Sequence, residues 1–218
     1  MNIDGNYMNK LEKALGRLLK RNELTSCLAS VLAEASKKGS ISYREVDKIV
    51  NANAEEVLLL GNEWRLLLPV RTIKSAAWED RLLLCEPGES YEVPNIVRCL
   101  VEQASRIGRW DSEHAISSLF KEMGEPAWER MPKLVERLEE QAKDYRVTAS
   151  LIKKVCSELG SGNRVDALIA GLKASGVMSP KMSSLAEVSR EGTPIYELNP
   201  SLLRDEGKQM IVKDNSAC

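Results

Sequence analysis

Basic side chains are concentrated in the second half of the chain, where their spacing would suit contacts with phosphate groups. Between residues 145 and 182 the sequence has six basic and two acidic residues, a net charge of +4. Proteins that bind a nucleic-acid backbone need such a local excess, because each contact neutralises a phosphate. The residues that we expect to carry DNA binding are Arg164, Lys173, Lys181, Lys153 and Lys154. A solvated helix surface with several lysines has the same composition, so that interpretation stays open.

The elements that must hold these cations are two helices separated by a short turn. In the second helix, apolar residues follow the i, i+3, i+4, i+7 spacing of one helical face; they are Val165, Leu168, Ile169 and Leu172. Asn163 stands at the position of an N-cap and Gly176 at that of a C-cap. The first helix is predicted to start after Thr148, and "GSGNR" forms the turn between the helices. Two glycines ahead of a helix are also typical of an anion site, and that alternative stays open.

The second helix is followed by two short strand-like segments around a polar loop, and the same order of elements occurs earlier in the chain. There, Ser42 and Glu45 form a capping box at the start of the middle helix. Two later apolar runs, bounded by proline and glycine, favour a hairpin. The three predicted helices span residues 22–38, 42–50 and 54–67, and the two apolar runs span residues 66–73 and 80–87.

This repeated order resembles the winged helix-turn-helix modules of prokaryotic, especially archaeal, transcriptional regulators. The most specific part is "TASLIKKVCSELGSGNRVDALIAGLKASGVMSP" followed by "GTPIYELNPSL". The resemblance covers residues 128–203 well and residues 22–87 less closely. It implies that residues 164–175 form a recognition helix, which in such modules enters the major groove, and that residues 181–193 form the wing loop.

We therefore predict a mainly α protein in which two winged helix-turn-helix modules with short β-hairpin wings are joined by a helical connector. The amphipathic N-terminal helix is expected to pack on its own domain or on a second copy, with binding to a membrane surface as an alternative. The predicted parts are the N-terminal helix (1–21), the first module (22–90), the connector (91–124), the second module (125–203) and a flexible tail (204–218).

The third helix of the first module has the wrong charge for a nucleic-acid groove. Residues 54–65 contain three glutamates and one arginine, a net charge of −2, and carboxylates repel phosphates. The same segment is too apolar for one exposed helical side. We therefore expect this helix to be buried against the other module or against a partner. The side chains predicted to be mostly buried are Leu58, Leu59, Trp64 and Leu67.

The sequence does not favour an enzyme. Its single histidine, His114, has Asp111 and Glu113 nearby, but Asp111 is better placed as a helix cap. None of the P-loop, HExxH, GxGxxG or nucleophile-elbow patterns occurs. The five cysteines form no CxxC pair and are odd in number, which favours free thiols over a zinc site or a disulfide framework. We predict no catalytic residues, no metal and no cofactor.

Two functional classes remain. The first is a DNA-binding transcriptional regulator that contacts double-stranded DNA with its C-terminal winged helix. The second is a protein-interaction or assembly module built from tandem winged helices, as a homodimer or with another protein; RNA binding is a minor third possibility. The net charge of −1 favours the second class, whereas the C-terminal pattern favours the first, which we adopt as the sequence-based expectation. No apolar run is long enough for a membrane span, and we expect a cytoplasmic protein without a membrane partner.

Overall fold

A computed structural model describes residues 5–20, 22–70, 77–181 and 192–202. Within these ranges the chain is mainly helical and has two three-stranded antiparallel sheets, which confirms the predicted mainly α class. Most of the predicted wing loop and the predicted tail lie outside the described residues. No helix in the described ranges is both long and apolar enough to cross a lipid bilayer.

The first half of the chain, α1 to β3, contains four helices and one sheet. Its elements are α1 (Gly5–Leu18), α2 (Thr25–Lys38), β1 (Ser40–Ser42), α3 (Tyr43–Val50), α4 (Ala54–Glu63), β2 (Leu68–Pro69) and β3 (Ser90–Glu92). Helices α5 (Asn95–Ile107) and α6 (Ser112–Glu122) connect it to the second half. The second half consists of α7 (Met131–Gln141), β4 (Arg146–Thr148), α8 (Ala149–Glu158), α9 (Val165–Ser175), β5 (Met178–Pro180) and β6 (Ile195–Leu198).

The two sheets have the same topology. In each, the last strand lies in the middle, giving the orders β1-β3-β2 and β4-β6-β5. Ile41 pairs with Tyr91 in the first sheet, and Val147 pairs with Tyr196 in the second. Each sheet therefore gains a third strand, β1 or β4, that the sequence analysis did not predict.

The predicted second strand of the first hairpin, residues 80–87, is wrong. The strand that pairs with β2 is β3, and residues 82–85 are outside the sheet. This segment is held by two other contacts: Arg81 Nη1 donates to Pro69 O at 3.1 Å, and the Tyr91 hydroxyl donates to the Leu84 carbonyl. We call residues 81–89 the strap.

Side-chain caps set the starts of the middle helix in both halves, as predicted. At α3, Ser42 N donates to Glu45 Oε2 at 2.9 Å and Glu45 N donates to Ser42 Oγ at 3.4 Å. At α8, Leu151 N donates to Thr148 Oγ1 at 3.2 Å. Helix α7 begins at Met131 and has Pro132 in its first turn, where a backbone N–H would have no partner within the helix.

The core is aliphatic and continuous from α1 to the second half. Helix α1 buries Leu11, Ala14 and Leu15 and packs on α2 and α5, which confirms packing on its own domain. Phe120, the only phenylalanine, is buried on α6. A Cβ built on Gly171 of α9 would lie 3.2 Å from the Phe120 ring, so the small residue lets α9 approach α6 closely.

Direct polar contacts join the two halves. Arg65 Nε donates to Glu197 Oε1 at 2.9 Å, and Trp78 N donates to Ser179 Oγ at 3.0 Å. The two sheets and the end of α4 are therefore held in a defined relation to each other.

Candidate functional site

The outward side of α9, the predicted recognition helix, is made mainly of alanines. Leu168 and Leu172 are buried beneath it. Its exposed residues are Asp166, Ala167, Ala170, Lys173 and Ala174. One acidic and one basic side chain give no net charge, and alanine methyl groups offer no hydrogen bonds to base edges. This surface has fewer DNA-reading groups than the sequence pattern suggested.

Arg164 lies just before α9 and is paired with Glu125. Both guanidinium Nη atoms bond the carboxylate, with Nη2 3.1 Å from Oε2. Ala127 N also donates to Glu125 Oε1, at 3.0 Å. Burial raises the pKa of Glu125, but the hydrogen bonds from Arg164 and Ala127 outweigh it and leave that pKa below its ordinary value. Arg164 therefore ties the start of α9 to the segment before α7.

Lys181 is also paired rather than free. Its Nζ contacts the Glu79 carboxylate of the first half, and the lysine side chain is only 14% exposed. The structure thus gives Lys181 a contact between the halves. Sequence reasoning missed Glu79 and Glu125, the carboxylate partners of Lys181 and Arg164. No local spacing indicates these pairs, because the partners are 102 and 39 residues apart.

The three remaining predicted DNA-binding residues are exposed. Lys153 and Lys154 lie on α8, and Lys154 Nζ is 4.0 Å from Glu158 Oε1. Lys173 lies near the end of α9 and lines a cleft between the halves. The structure therefore does not bring the five predicted residues together. Two of them, Arg164 and Lys181, are in ion pairs. Lys173 lines the cleft, and Lys153 and Lys154 lie on the surface of α8.

The corresponding helix of the first half, α4, has an acidic side with an apolar centre. Leu59 is 52% exposed, and three exposed glutamates occupy its i−4, i−3 and i+4 positions, which adjoin it on a helix; they are Glu55, Glu56 and Glu63. Leu58 and Leu67 are buried and Trp64 is half-buried, as expected. The prediction for Leu59 is wrong, because Leu58 and Leu60 already occupy the core side of the helix.

The strap also exposes leucine side chains. Along it the side chains alternate: Leu83 and Cys85 pack against the core, whereas Leu82 and Leu84 are 73% and 38% exposed. Burial raises the pKa of Cys85, and the Glu55 carboxylate raises it further. We call Glu55, Glu56, Leu59 and Glu63 the α4 surface.

His114 has the contacts of a helix-start residue. Its backbone N–H donates to Asp111 Oδ1 at 3.1 Å, so Asp111 is the cap that was predicted. Its ring Nδ1 lies 3.4 Å from Ser118 Oγ. Among the described residues, no three His, Cys, Asp or Glu side chains are grouped so that they could hold a metal ion, and the four cysteines in those ranges are free thiols.

One protein-family model matches residues 9–208, and the chain therefore belongs to the family that this model defines, whose description gives no activity. The match runs from α1 beyond β6, so both halves are part of one family unit. No curated protein and no solved structure matches the chain.

Proposed function

We propose that this chain is a tandem winged helix-turn-helix protein whose main role is to dock another protein, the second of the two classes that the sequence left open. The element order supports two modules, because α2-β1-α3-α4-β2-β3 is repeated as α7-β4-α8-α9-β5-β6. The identical strand order of the two sheets supports the same interpretation. Since one fold serves many functions, the role is argued from the surfaces.

The α4 surface is the observation that carries this proposal. Leu59 is 52% exposed, and three exposed glutamates border it on the helix. Carboxylates at three positions around Leu59 repel phosphates and attract lysine or arginine. The partner that fits is a basic amphipathic segment whose apolar side covers Leu59 and whose cations pair with the glutamates.

The second module is less suited to DNA than its sequence suggested. Arg164 and Lys181 both have carboxylate partners, and the outward side of α9 is rich in alanine. A DNA phosphate would have to compete with Glu125 and Glu79 for these two cations. This is why we favour protein docking over DNA binding.

Docking is tested with a labelled amphipathic helical peptide of lysine and leucine, titrated by fluorescence anisotropy. Burying a leucine stabilises a complex by about 1.5–3 kcal/mol, so Leu59→Ser should weaken binding at least about tenfold. Ile107→Ser is the matched control, because Ile107 is also 52% exposed but lies on α5. Equal losses in the two variants, or no binding by the unmodified chain, would refute docking at the α4 surface.

DNA binding by the second module is a second candidate, favoured by the exposed Lys153, Lys154 and Lys173. The test is anisotropy with a random duplex at several salt concentrations. Removing one phosphate contact should lower the log–log salt slope by about one, so Lys153→Ala should reduce it and Lys13→Ala, an exposed lysine of α1, should not. Absence of salt-dependent binding at low salt would exclude this candidate and leave the docking proposal unaffected.

A further inference from the structure

A cleft of about 460 Å³ separates the two halves at the C-terminal end of α9. The first half contributes Trp78, Arg81 and Glu92 to its lining, and α9 contributes Ala170, Lys173 and Ala174. A volume of this size is in the range that small-molecule sites occupy. The cleft is distinct from the α4 surface, so it raises a separate functional question.

Hydrogen bonds between the halves hold the walls of the cleft in place. Trp78 N donates to Ser179 Oγ at 3.0 Å, and Asn95 Nδ2 donates to Ala174 O at 3.3 Å. At the same end, a Cβ built on Gly176 would lie 2.6 Å from Pro94 Cβ, so the backbones meet closely there. The cleft is therefore preformed by the packing of the two halves.

Arg81 is a buried cation with an unused donor. Its side chain is 6% exposed, and Nη1 donates to Pro69 O at 3.1 Å and to Glu92 Oε1 at 2.5 Å. Its Nε has no hydrogen-bond partner among the described residues. Buried guanidinium nitrogens normally have an acceptor, so Nε is an unsatisfied donor that is shielded from solvent in the wall of the cleft.

Lys173 supplies a second positive charge on the opposite wall. It is exposed, lines the cleft, and makes no ion pair within the described part of the chain. The only described acidic residue in the lining is Glu92, which already pairs with Arg81. The charged lining residues therefore have a net charge of +1, which favours an anion over a cation.

We propose that this cleft binds a small anion with a carboxylate or phosphate group on an apolar body. The anionic group lies beside Lys173, which can donate charge-assisted hydrogen bonds, and the Arg81 guanidinium adds positive charge from the wall of the cleft. The apolar body lies on the methyl groups of Ala170 and Ala174. Because such a ligand contacts both halves, its binding also stabilises their packing.

Three probes distinguish the chemistry of the ligand: phenyl phosphate, benzoate and inorganic phosphate, titrated by calorimetry at constant ionic strength. Phenyl phosphate binding more tightly than inorganic phosphate would show that the apolar body contributes. Comparison of phenyl phosphate with benzoate identifies the preferred anionic group. Amide chemical shifts in an NMR titration should change at residues 170, 173 and 174 and identify the site.

Two exposed lysines give the matched variants for this test. Loss of a hydrogen bond to a charged group weakens binding about tenfold or more, so Lys173→Met should show that loss and Lys153→Met, on α8, should leave affinity unchanged. Ala174→Leu should block the cleft while leaving Lys173 in place. The proposal is overturned if no probe binds the unmodified chain with a dissociation constant below about 1 mM, or if both lysine variants lose affinity equally.

Discussion

Arg65 at the end of α4 forms an ion pair with Glu197 on β6, with 2.9 Å between Arg65 Nε and Glu197 Oε1. The two side chains are only 17% and 15% exposed. Asn199 Nδ2 donates to both Arg65 O and Gly176 O, at 3.3 Å and 3.2 Å. Water is thus largely excluded from a polar contact that crosses between the halves, and we infer that the halves unfold together.

Removing one member of this pair should destabilise the whole chain. Glu197→Gln leaves the Arg65 charge without its partner in a poorly hydrated place, and we expect a loss of about 1–3 kcal/mol in the free energy of unfolding by urea. Glu140→Gln is the control, because the Arg137–Glu140 pair is 48% and 51% exposed and such pairs contribute about 0–1 kcal/mol. A biphasic transition in the Glu197 variant would confirm that the pair couples the halves; equal losses in both variants would contradict its importance.

Gly176 should tolerate alanine less well than Gly124 does. Both glycines have left-handed backbone angles, φ +79° and +74°, so alanine at either position costs about 1 kcal/mol from the backbone alone. At Gly176 the added Cβ would also lie 2.6 Å from Pro94 Cβ, whereas nothing lies within 4 Å at Gly124. Thermal unfolding of the two variants isolates this second effect, and we expect the Gly176→Ala melting temperature to be several degrees lower. Equal melting temperatures would show that the halves adjust at no cost.

Local signals predicted much of the fold. Thr148 and the Ser42–Glu45 pair marked helix starts that the structure contains, because a cap depends on residues three positions apart. Strands β1, β3 and β4 were missed, since each has only three residues and depends on a partner far along the chain. The run at residues 80–87 was mistaken for a strand because it is rich in leucine and bounded by proline and glycine, and a strap that packs one side on the core can have the same composition.

The candidate sites were less predictable because their chemistry depends on distant residues. The sequence places Arg164 in the first turn of a recognition helix, but nothing near it indicates that Glu125 pairs with it. Likewise, Lys173 was chosen for its position on a helix, and the opposing Arg81 became its neighbour only through packing of the halves. The acidic character of α4 was predictable, whereas the exposure of Leu59 required knowing which side of α4 the core occupies.

The capping box of α3 should make stability depend on pH in the acidic range. The hydrogen bond from Lys38, followed by those from Ser42, lowers the pKa of Glu45 from 4.5 to about 2. A depressed carboxyl pKa stabilises the fold above the unfolded-state value, and the contribution is lost as pH falls from 4.5 towards 2. Because Glu45 is partly exposed, we expect Glu45→Gln to lose at most about 1 kcal/mol near neutral pH.

This difference between Glu45→Gln and the unmodified chain is measured by urea unfolding across the acidic range. It should shrink steadily below pH 4.5. Lys38→Met removes the hydrogen bond that lowers the pKa of Glu45 most. The stability of this variant should therefore change over a narrower range of pH. A difference that stays constant with pH would show that the carboxylate charge does not contribute.

Arg164 should act in folding rather than in DNA contact. Arg164→Met leaves the Glu125 carboxylate, whose side chain is 11% exposed, with only the Ala127 N–H as a donor. We expect a loss of about 1–2 kcal/mol, measured by urea unfolding, because an unpaired and poorly hydrated charge is costly. The double variant Arg164→Met/Glu125→Gln should recover part of that stability, since the neutral amide can still accept from Ala127.

If the unmodified chain binds a random duplex, Arg164→Met should leave the salt dependence of binding unchanged under conditions where it remains folded. A salt slope reduced by about one in this variant, with stability unchanged, would instead show that Arg164 leaves Glu125 to contact phosphate and would restore the sequence-based DNA interpretation.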